Sequence, residues 1–245
     1  MAATAQPRDS GGKEPQQPDA GWRTFWDHHA DPGESFREEA EIYVRNLRRV
    51  ASLDKTKDVL DFGCGFGFVA ALVAPEVRTM FFWDSSPRMV EHARQPLALH
   101  ANARYLELGP AVVADSLRMD LILVNSVLQY VATLEEAGAV LARLSGLLRP
   151  GGTIIASDII PSQYSLAREL LTTALRRPMF FLSRLSGTLT RYLSARRSLS
   201  LLRISRQDLE EIAAGNSLEV SFLETNLSHF PRRTTAIFRR PESAA

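Results

Sequence analysis

Residues 59–70 read VLDFGCGFGFVA, and the reading of this stretch decides the fold. Val59, Leu60 and Phe62 have the apolar, β-prone character of a strand about to end. Gly63, Gly65 and Gly67 alternate through a turn, and Phe68 to Val73 can open a helix. Glycine suits a backbone that leaves a strand sharply and lies against a ligand with no side chain between. Two carboxylates frame the turn. Asp61 precedes the first glycine by two residues, and Asp84 ends the next apolar run, MFFWD. The dinucleotide fingerprint requires a third glycine three residues after the second. Phe68 stands there instead, which weakens a nicotinamide reading.

A chain of 245 residues, 45% hydrophobic and 23% charged, can bury a full core as one globular unit. Its formal net charge of +1 gives no overall attraction to nucleic acid. The single cysteine, Cys64, excludes an internal disulfide framework and fits a reducing compartment. Its small thiol reads as a space-filler within the turn. The first residues lack the basic segment and apolar run of a signal peptide, and no stretch is apolar for long enough to span a bilayer. A cytoplasmic location is the expectation.

Residues 1–21 hold almost no large apolar side chains and read as a disordered tail. Residues 22–245 read as a single domain that opens with an N-terminal helical segment, 22–57. There GWRTFWDHHADPGES leads into a helix from about Ser35, with Phe36, Ala40, Tyr43, Val44 and Leu47 at helical spacing. From Asp58 strands and helices alternate. Strands are predicted near 58–62, 77–83, 103–107, 119–125 and 152–158, and helices near 66–74, 87–94 and 134–148. Short apolar strands such as DLILVN (120–125) suit a parallel sheet covered on both faces. Arg149-Pro150-Gly151-Gly152 reads as a breaker before TIIASD (153–158). Residues 162–206 read as a helical cap insertion broken near Pro178 and Gly187. A further helix begins at Ser205, where Ser205 and Asp208 form a capping pair. LEVSFLET and TTAIFRR close the chain as an antiparallel pair at one sheet edge.

Asp61-x-Gly63-x-Gly65-x-Gly67 after a strand, with Asp84 at the end of the next, resembles the nucleotide-binding motif of class I S-adenosylmethionine-dependent methyltransferases. The resemblance runs from about residue 58 to 160 and more loosely to the end. TIIASD after RPGG is similar to the family's fifth strand, and NSVLQYV (125–131) to the segment after its fourth. The closing strands are similar to its sixth and its antiparallel seventh. The resemblance implies an α/β, Rossmann-like, mostly parallel seven-stranded sheet with an antiparallel last strand and helices on both faces. It also implies S-adenosylmethionine as cofactor. Gly63, Gly65 and Gly67 would then approach its methionine and ribose parts, and Asp61 would act on its ammonium end, directly or through water. Asp84 would accept hydrogen bonds from the ribose hydroxyls. Ser85 and Met89 would border the adenine, and Asn125 and Leu128 would face the cofactor. The adenine contact near the third strand stays open among Glu107, Leu108 and Asp115, because ARYLELGPAVVADS lacks the family's usual Gly-Asp.

Ligands of such sheets sit beyond the carboxyl ends of the parallel strands. Gln129, Tyr130, Asp158 and His229 fall at that edge, and His28 and His29 lie in the 22–57 segment, which the resemblance implies is a lid over the cofactor. Methyl transfer from a sulfonium is an in-line displacement that alignment and desolvation largely support. A base is needed when the nucleophile is a protonated hydroxyl or ammonium. His229 is the first candidate for that role and Asp158 the second, each weighed against a purely structural role. No trio of carboxylates suggests a metal, so none is expected.

Between Ser162 and Arg206 the sequence holds nine arginines against one carboxylate, Glu169. Arg177, Arg184 and Arg191 share a helical face beside Leu182, Leu185, Leu189 and Leu193. Three readings compete: a solvated cap, a contact with an anionic or lipid-like substrate or membrane surface, and a partner surface. The oligomeric state stays open, and nucleic acid is not expected. The leading reading is methyl transfer to a small-molecule acceptor, with oxygen favoured over nitrogen. The alternatives are a nucleotide-binding oxidoreductase and a non-catalytic module that binds S-adenosylmethionine.

Overall fold

The computed structural model describes residues 34–107, 117–176 and 201–242. The expected tail at 1–21, His28 and His29, Leu108 and Asp115, and the leucine and arginine stripe at 177–193 lie outside these residues. The chain runs α1 (Glu34–Leu47), β1 (Asp58–Phe62), α2 (Phe68–Val73), β2 (Thr79–Trp83), α3 (Pro87–Leu97), β3 (Ala103–Tyr105) and β4 (Met119–Asn125). It continues through α4 (Leu134–Gly146), β5 (Leu148–Ile159), α5 (Leu166–Arg176), α6 (Arg206–Gly215), β6 (Glu219–Phe222) and β7 (Thr234–Arg239).

The strands form one sheet in the order β3-β2-β1-β4-β5-β7-β6. Every pairing from β3 to β5 is parallel, and β7 is antiparallel to both β5 and β6. The closing strands therefore pair as expected, with β6 as the edge. Alternation along each strand sends side chains to two cores. Leu60, Ile122 and Ile154 meet Leu141 and Leu144 of α4 and Leu209 of α6 on one face. Val59, Leu121, Leu123 and Ile155 meet Leu47 of α1, Val73 of α2 and Ala93 of α3 on the other. Burial on both faces is why these strands read as apolar runs rather than as alternating ones.

Two boundaries differ from expectation. Arg149–Gly152 do not separate elements but belong to β5, which starts at Leu148. A register shift between Met119 and Leu121 absorbs the extra residues there, and Gly151 adopts φ 74°. The tail of the expected helical insertion, 201–205, is extended. Leu202 N donates to Gln129 O and Ile204 N to Ile160 O, tying it across the strand ends. Of the insertion's apolar residues, Leu171 and Leu175 on α5 are exposed. No helix of the described residues is long and apolar enough to cross a membrane.

At the amino ends of the strands, Asp58 accepts from Arg78 Nε at 2.8 Å and from Arg149 Nη2 at 2.9 Å. Arg149 also donates to Asp120, whose carboxylate accepts from Asp58 N at 2.7 Å. The Arg78 bonds, with those of Arg149, hold the Asp58 carboxyl down at about 2 against the cost of burial. Because this lies below the unfolded carboxyl value, the stabilisation is complete above about pH 4 and lost as pH falls through about 2. Arg149→Met should therefore lower unfolding free energy in urea by roughly 1–2 kcal/mol at pH 7. That deficit should shrink between pH 4 and 2.

Candidate active site

The glycine turn is positioned by the end of the neighbouring strand. Gly63 N and Cys64 N both donate to Trp83 O, at 2.8 and 3.0 Å. Gly65 N donates to Asp84 Oδ2 and Ser86 N to Asp84 Oδ1, both at 2.9 Å. Ser86 caps α3 by accepting from Met89 N at 3.2 Å. The three glycines have φ of 75°, 52° and 75°, a region that favours glycine. Their surroundings separate their roles. A Cβ on Gly63 would come within 2.5 Å of Val127, and one on Gly67 within 2.8 Å of the Ala93 backbone. A Cβ on Gly65 would meet nothing within 4 Å. The outer glycines are demanded by packing, whereas the central one faces space that a ligand can fill.

Beyond the end of β2 lies an open pocket of about 470 Å³, lined by Trp83, Asp84, Ser85, Val90, Arg94 and Tyr105 among others. Ser85 is among the lining residues. Met89 is buried beneath α3 and contributes its backbone to the cap. Glu107 is exposed past β3. Asp61, on β1 beneath the turn, is buried, and its Oδ2 has no hydrogen-bond partner. Burial, and then the nearby Asp84 charge, push its carboxyl up to about 7. A buried carboxylate beside an open glycine turn suits a ligand that brings a positive charge.

Near the carboxyl ends of β4 and β5, Ser126 and Asp158 are both left-handed, at φ 61° and 64°. Such strain persists only where the surroundings impose it. Here a bulge between Ala156 and Ile159 turns Asp158 out of the β5–β7 ladder. Asp158 Oδ2 accepts from Ser126 Oγ at 2.8 Å and from Arg233 Nη1 at 2.5 Å. Its Oδ1 accepts from Ser228 Oγ at 2.5 Å and Asn226 Nδ2 at 3.1 Å. Gln129 Nε2 donates to Ser126 Oγ at 2.6 Å. Burial opposes charge on both ions, yet their pairing holds Asp158 below and Arg233 above the ordinary range. Asp158 is therefore an ionised anchor for the loop from Asn226 to Arg233.

That loop carries His229. The imidazole is buried, lies 3.8 Å from the Phe230 ring centre, and places Nε2 3.8 Å from Glu39 Oε1 on α1. Asn125 accepts from Ser157 Oγ at 3.1 Å at the end of β4, and Leu128 packs in the core just beyond. Burial pushes the Tyr130 hydroxyl up to about 12, keeping it protonated. Tyr43 of α1 is buried beside the Asp61 and Asp158 carboxylates, and burial pushes its hydroxyl up as well. Sequence reasoning missed Arg233, Asn226 and Tyr43. An arginine 75 positions from its aspartate, or a tyrosine at a core helical position, carries no local signal of such a contact.

Residues 60–154 match the methyltransferase domain family. The matched segment holds the glycine turn, Asp61 and Asp84, and covers 95 of the 245 residues. The residues present fit S-adenosylmethionine, the cofactor that the sequence resemblance implies. Gly65 leaves open space, Asp61 sets a buried carboxyl beneath the turn, and Asp84 lines the pocket. Chondramide synthase of Chondromyces crocatus is 28% identical over 149 residues, covering 57% of this chain and 4% of that protein. Trans-aconitate 2-methyltransferase of Azoarcus sp. is 32% identical over 122 residues, covering 49% of this chain and 46% of that protein. The chain spans less than half the length of either relative. Magnesium protoporphyrin IX methyltransferase from Synechocystis PCC 6803, solved with bound SAH, shares the fold of this chain at a TM-score of 0.59 and 17% identity. That superposition covers 91% of this chain and 95% of the other.

Two consequences can be measured. Gly65→Ala should fold with a loss of about 1 kcal/mol and bind S-adenosylmethionine at least about tenfold more weakly. Gly67→Ala, with a backbone clash added to a left-handed φ, should lose about 3 kcal/mol or more in thermal unfolding. In the cofactor-free protein Asp61 is mostly protonated below its raised pKa and mostly ionised above it. Calorimetric affinity for S-adenosylmethionine should therefore fall by up to about tenfold from pH 8 to pH 6. Asp61→Asn should flatten that profile.

Proposed function

We propose that the protein transfers the methyl group of S-adenosylmethionine to an oxygen of a small-molecule acceptor. The reading is supported by the polar cluster of Ser126, Gln129 and Asp158 near the ends of β4 and β5, which is hydrogen-bonded to the loop that carries His229. The relative named for trans-aconitate, a small organic acid, agrees with an acceptor of modest size.

When bound, the cofactor supplies an electrophilic methyl group on a sulfonium. The chain's own contribution is alignment, exclusion of water and, for a hydroxyl acceptor, removal of a proton. The glycine turn and Asp84 fix one partner in place. His229 is assigned as the base that takes the acceptor's proton, with Glu39 near enough to favour the imidazolium that results. Asp158, the second candidate base, is better suited to a positioning role. Its oxygens already accept four hydrogen bonds, and three of the donors belong to the loop that carries His229.

Calorimetry with S-adenosylmethionine, S-adenosylhomocysteine and NAD should show binding of the first two only; binding of NAD alone would indicate an oxidoreductase. Turnover on a panel of hydroxyl, carboxyl and amine acceptors separates an enzyme from a binding module. On a hydroxyl acceptor, His229→Ala should reduce kcat by about a hundredfold or more while the Kd for S-adenosylmethionine stays within about twofold. Unchanged kcat would remove His229 from the mechanism.

A further inference from the structure

Past β6 and β7 the same sheet edge holds a second concavity that methyl transfer leaves unused. Thr172 of α5, Arg206 at the start of α6, Glu224 after β6, and Arg232, Arg233 and Thr234 before and within β7 help to line an open pocket of about 300 Å³. Three arginines share this lining with one carboxylate, Glu224, and Arg233 among them is already paired with Asp158. Among the described residues neither Arg206 nor Arg232 forms an ion pair, so Glu224 neutralises neither. Arg206 lies over the Phe222 ring at 4.9 Å, a contact that holds its plane and leaves its N–H edge for a ligand.

Arg233 supplies an independent sign. Its side chain is more than nine-tenths buried and its Nη1 is committed to Asp158, yet its Nε has no hydrogen-bond partner. An unmet N–H on a buried guanidinium costs more than an ordinary lost hydrogen bond. Glu169 of α5, also buried, does not answer it. Its Oε1 accepts from Arg232 N at 3.4 Å and its Oε2 has no partner. Burial pushes that carboxyl up, toward the neutral acid.

We propose that this pocket binds an oxyanion, a phosphate or carboxylate group, through Arg206 and Arg232, with Arg233 and the Thr234 hydroxyl completing its partners. Planar guanidiniums match both groups with paired hydrogen bonds. Arg233 connects the pocket to the methyl-transfer crevice, because it pairs with Asp158 at the end of β5. The oxyanion has two possible sources: the far end of an elongated anionic acceptor, or a free ion acting from outside the crevice.

Inorganic phosphate is the probe, titrated calorimetrically into the full chain in phosphate-free buffer of low ionic strength, where screening is weak. The native protein should bind it. The double variant Arg206→Ala/Arg232→Ala should bind at least about tenfold more weakly while its affinity for S-adenosylmethionine stays within about twofold. Absence of phosphate binding up to tens of millimolar, or equal affinity in the double variant, would overturn the site. Both arginines are exposed, and an unchanged melting temperature checks that the variant folds. Turnover on acceptor pairs that differ only by a terminal phosphate or carboxylate identifies the source. A variant KM raised for the anionic member alone, with phosphate competing, assigns the pocket to the acceptor. An equal response of both members to phosphate assigns it to a free ion. Phosphate binding can be measured even if no acceptor turns over, so this inference and the proposed function fail separately.

Discussion

Gly63 N and Cys64 N share one acceptor, Trp83 O at the end of β2, and the site depends on that shared bond. The next residue, Asp84, bonds back to Gly65 N. The loop and the carboxylate are therefore fixed against each other before any ligand arrives, so their geometry costs little to organise on binding. Gly67 completes the arrangement by letting α2 start against the Ala93 backbone of α3, at a separation no side chain permits. Parallel pairing of β1 with β2 and β4 then aims the turn at the place where strand order reverses. Ligands of open α/β sheets sit at such a point.

The opposite wall of the crevice rests on a different interaction. The Asp158–Arg233 pair is buried, and a buried pair is weak evidence for stability because desolvation offsets much of its attraction. Its structural effect is clearer. Asp158 gathers Asn226, Ser228 and Arg233, so one carboxylate sets the path of the whole loop between β6 and β7. The left-handed backbone of Ser126 and Asp158 is held by this network. A carboxylate held ionised by a buried arginine is a poor proton acceptor, which fits Asp158 to anchoring the loop that carries His229.

Much of this arrangement was legible in the chain. The apolar runs, the glycine spacing and the acidic strand end each report on neighbours within about 25 residues, and local patterns carry such information. The capping pair at Ser205 and Asp208 was equally local and forms as read. Arg149–Gly152 misled because glycine and proline usually end an element, whereas pairing with β4 and a bulge keep them in the strand. Residues 201–205 misled for a related reason: backbone bonds to Gln129 and Ile160 override the helical neighbourhood.

By itself the sequence determined the class of sheet and the place of the glycine turn with the two carboxylates that frame it. These follow from short-range sterics and from burial, which act on neighbouring residues. Only the tertiary structure decided which glycine leaves room for a ligand, since that depends on Val127 and Ala93 coming up behind the other two. It alone raised the Asp61 carboxyl, paired Asp158 with Arg233, and set Arg206 and Arg232 around one pocket. Desolvation and charge pairing depend on distance in space, and residues 75 positions apart meet only when the sheet brings its strand ends to one edge.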